Sequence, residues 1–363
     1  MNTILMVLLA LGFTLASIDS AHACDETKYR SRIVTYYELD ERRDAYDDTR
    51  CNYYTGPAGN LRCNIKLRGT LYFPLASAYN TTSKFPAVVI NHGSEETFEA
   101  DTKFCNQAEY LVPYGYIVFA PFRRGQGDDD AGSADKSTGV YIEDLLDDYE
   151  NSGGQYVHNT TCASTNRSCY KAQLLKEQAD EEIRAAMNWL KARSDVKTDP
   201  GEPDDHRIAI MGISYGGAVT VFANTYDLGQ KAVVAFSPGA QQWDRTVNCG
   251  SFPYNPTCGT WFQREMVLAA ALAEKPAFYL QARWDYDTRA TIDLATAHAY
   301  YSNDEQHSRP WMASIFAYRN PCNDDGNPAC SDDEYQSIHT GFFGATDVWG
   351  TAVKNFIKRH DVK

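Results

Sequence analysis

Three features of the sequence predict an α/β fold whose mostly parallel central sheet is covered by helices on both faces. Short, continuous apolar runs recur from residue 87 to residue 280, each bounded by Gly, Pro or polar turns, which suits strands buried on both sides. Helical periodicity lies between them, most clearly over residues 173–192. The apolar run 208–211 also passes through Gly212-Ile213-Ser214-Tyr215-Gly216 directly into a helix-forming stretch, 218–224. Strand alternating with helix implies parallel pairing, because a helix must carry the chain back before the next strand starts.

The N-terminus comes first. Residues 4–16 are almost unbroken apolar, too short a run to span a bilayer comfortably, and Ala21-His22-Ala23 follows as a small-x-small cleavage pattern. Residues 1–23 are therefore expected to be a cleaved signal peptide, and the protein to be secreted or periplasmic with no membrane span. The ten cysteines agree with that compartment. Cys51/Cys63, Cys162/Cys169, Cys249/Cys258 and Cys322/Cys330 are close neighbours, leaving Cys24 and Cys105, so five disulfides are expected. No pair has Cys-x-x-Cys spacing with histidines nearby, so no metal is expected. No cofactor is called for either.

Residues 24–65 are polar and Tyr-rich without a sustained period, and read as an N-terminal extension preceding a catalytic domain over 66–363. Residues 67–74 alternate like a half-buried strand and stop at Pro74. Continuous strands are expected at 87–90, 116–120, 208–211, 232–236 and 277–280. In the 173–192 helix, Leu175, Ala179, Ile183, Ala186, Met187 and Leu190 share one face. An amphipathic helix over 347–358 closes the chain. Two stretches, 128–170 and 241–260, fit this plan poorly and each holds one cysteine pair. Both follow strands on the side where such sheets bind ligands, so they are expected to shape a pocket rim.

Composition excludes several classes of function. With 24 Tyr, 16 Phe and 6 Trp the chain carries too much aromatic surface to stay disordered. A net charge of -14 argues against a nucleic-acid partner, whose phosphates need clustered Lys and Arg. Asp128-Asp129-Asp130 and Asp324-Asp325-Gly326-Asn327 match no full calcium loop and read as solvated surface. Asn80, Asn159 and Asn166 each open an Asn-x-Thr/Ser sequon.

The chemistry centres on Ser214. Gly-x-Ser-x-Gly between a buried strand and a helix is a nucleophile elbow, in which the glycines remove side chains that would clash in the sharp turn. A lone hydroxyl is a weak nucleophile, so a base and an orienting acid must lie elsewhere, in the chain order Ser, Asp or Glu, His. His339, in a polar-to-aromatic loop before the closing helix, is the candidate base. His298 lies in a helical stretch and reads as structural, while His307 and His360 lie among charges and read as solvated. Asp285, five residues past Leu280, is the candidate acid, with Asp287 as its competitor. Asn91-His92-Gly93-Ser94 follows the 87–90 strand, so the amides of Ser94 and Tyr215 are candidate oxyanion-hole donors. His92 reads as a turn-stabilising residue. Trp243, Trp261 and Trp284 are candidate pocket-lining residues.

The runs 67–74 and 86–95, the segment from Gly115-Tyr116 to Arg124-Gly125-Gln126-Gly127, the elbow, 276–285 and 339–349 together resemble the α/β-hydrolases of the dienelactone hydrolase-like group. The resemblance covers roughly residues 66–363 and implies that fold, with Ser214, Asp285 and His339 on its triad positions. Dienelactone hydrolase itself uses a cysteine nucleophile; Ser214 is similar to the serine of its esterase- and peptidase-like relatives. A secreted serine hydrolase cleaving a carboxylic ester, small-molecule or polymer-linked and lactones included, is the expected function. Gly-x-Ser-Tyr-Gly-Gly also resembles the prolyl-oligopeptidase catalytic domain, which keeps a serine peptidase as an alternative, although residues 24–65 are far too few for a propeller. A catalytically inactive hydrolase-fold binding protein is the third reading. The retained Ser214 and His339 weigh against it.

Overall fold

A computed structural model describes residues 25, 27–42, 52–55, 61–75, 83–95, 98, 103–128, 136–138, 141–151, 162, 166–243, 259–302, 311–318, 332–360 and 362. The leader, Cys24, Cys51, Cys249, Cys258, Cys322, Cys330, His307, Asn80, Asn159, both acidic runs beyond Asp128 and much of the two rim stretches lie outside them.

The main sheet holds β1 (Tyr29–Arg42), β2 (Asn52–Thr55), β3 (Leu61–Pro74), β4 (Ala87–Asn91), β5 (Ile117–Pro121), β8 (Ile208–Ile213), β9 (Ala232–Phe236), β10 (Ala277–Ala282) and β11 (Trp311–Phe316). A separate hairpin pairs β6 (Thr198–Asp199) with β7 (Glu202–His206). The spatial order is β1-β3-β5-β4-β8-β9-β10-β11, with β2 also on β3. From β5 to β11 every neighbouring pair is parallel; β1, β2 and β3 form an antiparallel edge.

Period-two alternation sends successive side chains of each buried strand to opposite faces. Along β8, Ile208 and Ile210 join one core layer while Ala209 and Met211 join the other. Helices α2 (Ile142–Asn151), α3 (Arg167–Glu177), α4 (Arg184–Lys191), α5 (Ser214–Ala223), α6 (Trp261–Ala271) and α7 (Arg289–Ser302) cover the first layer. Helices α1 (Cys105–Leu111), α8 (Asp332–Gly344) and α9 (Thr346–Arg359) cover the second. No helix among the described residues is long and apolar enough to cross a membrane.

Four local expectations change. Residues 29–42 are not outside the sheet: β1 pairs with β3 from Tyr29↔Pro74 to Arg42↔Arg62. The register shifts between Thr35 and Tyr37, and this bulge breaks the alternation by which the strand would have been read. Strand β3 itself begins at Leu61, so the expected boundary at residue 66 falls inside a strand. Cys63, expected in the extension on a loop closed with Cys51, instead stands within β3, opposite Glu41 of β1 and Tyr53 of β2. Ladder pairing on both sides makes it a sheet residue, while its expected Cys51–Cys63 bridge falls outside the described residues together with Cys51. The long helix starts earlier than its apolar stripe, at Arg167, where the Asn166 side chain caps it by accepting from the Cys169 N–H at 3.0 Å. It runs through a π-helical turn, Gln178–Ile183, into α4. Cys162 and Cys169 form the expected disulfide, and Cys105 is also disulfide-bonded.

The connections diverge at one point in the sheet. The chain leaves β4 for β5 on one side and leaves β8 for β9 on the other. Such a switch opens a crevice beyond the C-terminal ends of the strands, where open α/β sheets bind ligands. Ser94 follows β4 and Ser214 follows β8, so both candidate residues flank it.

Candidate active site

Ser214 is the first residue of α5 and has φ +55°, a left-handed conformation unfavourable for any residue with a Cβ. The turn is as tight as the flanking glycines suggested. A Cβ on Gly212 would sit 2.2 Å from the Gly216 carbonyl oxygen, and one on Gly216 would sit 2.2 Å from that of His92. Asn91 Nδ2 donates to Thr220 Oγ1 at 2.9 Å, and Thr220 donates to the Gly216 carbonyl at 2.8 Å, tying the end of β4 to the elbow.

The candidate acid and base meet beyond β10. Asp285 is 3% exposed and His339 2%. His339 Nδ1 lies 2.8 Å from Asp285 Oδ1 and 3.0 Å from Oδ2. A carboxylate at Nδ1 fixes the proton there, leaving the Nε2 lone pair available in the neutral ring. Nε2 is buried and has no hydrogen-bond partner among the described residues. Asp285 also accepts from the Tyr286 N–H at 2.7 Å and from the Ser237 hydroxyl. Asp287 instead caps Arg289, accepting its N–H at 2.9 Å and pairing with its guanidinium at 2.7 Å. Of the two competing aspartates, only Asp285 reaches the histidine.

His339 stands on α8, not in the loop expected from the sequence. Ile338, His339, Phe342 and Phe343 are buried while Ser337 and Thr340 are exposed, a helical face hidden in a short polar-to-aromatic run. The Tyr286 ring meets His339 edge to face at 5.5 Å. His298 is buried beside the Tyr279 hydroxyl at 3.1 Å, in line with a structural role. His360 lies on the Phe356 ring at 4.7 Å, so it is less solvated than its charged surroundings suggested.

Strand register brings the groups to one level. Ile213 of β8 pairs with Phe236 of β9, and Phe236 pairs with Leu280 of β10, so Ser214, Ser237 and the start of the Asp285 turn leave adjacent strands together. The segment after β9 joins them: the Gly239 N–H donates to the Ser214 carbonyl at 3.3 Å, and Gln241 Nε2 donates to Gln336 of α8 at 2.8 Å. No protein hydrogen bond joins Ser214 to His339; contacts of this kind commonly tighten only around bound substrate.

Ser214 opens onto a small cleft of about 60 Å³ shared with Ser94, Tyr215, Gly239, Phe262, Lys171 and Glu143. Tyr215 is the second residue of α5, so its N–H has no acceptor within the helix, and the positive end of the helix dipole points the same way. Ser94 and Tyr215, whose amides are the candidate donors, thus border the same space as Ser214. Lys171 was not singled out from the sequence, where nothing marks it. Its Nζ lies 2.9 Å from Glu143 Oε1 and 4.7 Å from the Tyr215 ring centre, and burial draws its pKa down.

None of the three tryptophans lines this cleft. Trp243 is buried and donates to Asp293 at 3.0 Å; Trp284 packs on the second core layer under Arg283. Trp261 packs at the edge of the first layer against Arg264. A capping box between Thr260 and Gln263 fixes the start of α6, and it is the neighbouring Phe262 that reaches the cleft.

Serine after β8, aspartate after β10 and histidine on α8 follow one another around a parallel sheet with an antiparallel edge. The chain has the α/β-hydrolase fold. No family model matches it, and no curated protein does. Solved structures with similar folds include a presumed dienelactone hydrolase from Klebsiella pneumoniae subsp. pneumoniae (15% identity, covering 78% of this chain and 93% of that one, TM-score 0.41). They also include a Pyrococcus furiosus esterase (15% identity, 90% of this chain and 93% of that one, TM-score 0.44). Porphyromonas gingivalis dipeptidyl peptidase 4 is similar at 15% identity and TM-score 0.45 over 86% of this chain, which spans only 36% of that protein's length. At these identities the likeness is one of fold.

Proposed function

We propose that this α/β-hydrolase is an exported serine hydrolase that cleaves carboxylic esters. The buried Asp285–His339 pair, standing at the level of a serine held in a left-handed turn, is the observation that carries the reading. His339 Nε2 would take the Ser214 proton as the serine oxygen attacks the ester carbon, and Asp285 would stabilise the resulting imidazolium. The carbonyl oxygen, now negative, would accept from the N–H groups of Ser94 and Tyr215. Collapse would release the alcohol with the proton held at Nε2, leaving an acyl group on Ser214. Water activated by the same histidine would then release the acid.

Two further observations support parts of this. The disulfides at Cys162–Cys169 and at Cys105 suit an oxidising compartment, as an exported chain requires. The cleft is small and edged by a charged pair, which favours short or polar acyl groups over long alkyl chains, because alkyl burial against Lys171 and Glu143 would desolvate both. The test is hydrolysis of short p-nitrophenyl esters beside aminoacyl p-nitroanilides, with Ser214→Ala as control. Ester turnover lost in the variant supports the reading. Amide turnover alone would move it to a peptidase, and failure of Ser214 to react with a fluorophosphonate would reject it.

A further inference from the structure

Arg123 is a buried cation whose guanidinium contacts no carboxylate among the described residues; Glu182 and Glu95 act on it only from a distance. It leaves the C-terminal end of β5 and is 1% exposed. Its neighbour Arg124 is paired conventionally, with Glu182 at 2.6 Å and Glu181 at 3.2 Å. Arg123 makes no ion pair among the described residues; its guanidinium donates to two backbone carbonyls, that of His92 at 2.8 Å through Nη1 and that of Gly93 through Nη2. Burying a charge without a counter-charge in contact is strongly unfavourable, so what it holds is informative.

The Gly93 carbonyl and the Ser94 N–H belong to one planar, trans peptide unit and point in opposite directions. Fixing the oxygen therefore fixes the direction of the N–H. A charged donor on the oxygen also polarises the unit and strengthens the N–H as a donor. The other half of the donor pair is close by: the Arg123 guanidinium lies 5.8 Å from the Tyr215 ring centre, and the His92 carbonyl it holds is packed against Gly216. His92 adds no competing charge, because burial, then Arg123 and Lys103, hold its pKa well below the usual range.

We propose that Arg123 is the positioning residue of the oxyanion hole, gripping the Gly93–Ser94 peptide so that the Ser94 N–H faces the cleft and lending positive potential to the place where the oxyanion forms. This rests on the serine-hydrolase reading. It assigns to a residue outside the triad an effect exerted on the tetrahedral intermediate and not on bound substrate.

The experiment compares wild type, Arg123→Lys and Arg123→Met on a short p-nitrophenyl ester, together with inhibition by a trifluoromethyl ketone, which forms a tetrahedral adduct. In Arg123→Met, kcat should fall on the order of 100-fold, comparable to losing one oxyanion donor, with KM little changed. Affinity for the ketone should fall in step with kcat/KM. Arg123→Lys, which keeps the charge but loses the planar fork, should fall between the two, and it decides the matter alone if Arg123→Met does not fold. Folded variants with wild-type kcat, or a loss of kcat that leaves ketone affinity unchanged, overturn the inference while the hydrolase reading stands. Wild-type protein that neither turns over the ester nor is labelled at Ser214 overturns both.

Discussion

His339 Nδ1 lies 2.8 Å from Asp285, while Asp287, two residues further on, turns to Arg289. The two aspartates share one turn and are both buried, yet only Asp285 reaches His339. Asp285→Asn should lower kcat on the order of 10³- to 10⁴-fold by favouring the wrong imidazole tautomer. Asp287→Asn keeps an oxygen for the Arg289 N–H but loses a charged partner of the Arg289 guanidinium, costing about 1–3 kcal/mol of stability, with activity largely kept. Steady-state kinetics and melting of the two variants side by side check this.

Ser214 holds φ +55° at some cost in strain. Ser214→Gly should be inactive and yet more stable by about 1 kcal/mol, since glycine adopts that conformation freely. Ser214→Ala should be equally inactive without the gain. Denaturant unfolding of the three proteins measures the difference, and a destabilised glycine variant would contradict the strain argument.

Gly216 has no room for a methyl group, because a Cβ there would lie 2.2 Å and 2.3 Å from the carbonyl oxygens of His92 and Asn91. Gly216→Ala should cost about 3 kcal/mol, since backbone has to move. It should also remove activity by parting the elbow from the loop that carries Ser94. Paired unfolding and ester-hydrolysis measurements test both effects.

His92 couples stability to pH. Its folded pKa lies well below the ordinary value near 6.5, so below about pH 6.5 the unfolded chain takes up a proton that the folded chain refuses. Stability contributed by neutral His92 is therefore complete above pH 6.5 and declines as pH falls towards the folded pKa. Denaturant midpoints for wild type and His92→Asn between pH 5 and 7 should converge as the pH drops. Midpoints that stay parallel would show that His92 is not responsible.

The parts of this site legible in the sequence were those encoded locally. The apolar run into Gly212 and Ser214 contains its own strand, turn and helix, and Asp285 follows its strand closely. Where tertiary contacts decide, sequence reading stopped short. One bulge beside Tyr36 hid β1, because it inverts the alternation midway. With β1 hidden, Cys63 looked like part of a cysteine-closed loop, although it sits between two strands that pair with its own. His339 looked like a loop residue because its helical face spans only Ile338 to Phe343. Phe262 lines the cleft where Trp261 was expected, a difference of one residue's rotation at the start of α6. Lys171 and Arg123 are ordinary basic residues in the sequence, and only the fold gives them their neighbours.

The two candidate catalytic residues come from opposite layers: Ser214 opens a helix of one, and His339 rides on α8 of the other. In synthesis from N- to C-terminus, the serine and its acid emerge well before the histidine. A nascent or truncated chain that lacks α8 therefore carries Ser214 and Asp285 without His339. On the proposed mechanism such a chain would stay inactive until α8 has packed on the far side of the sheet.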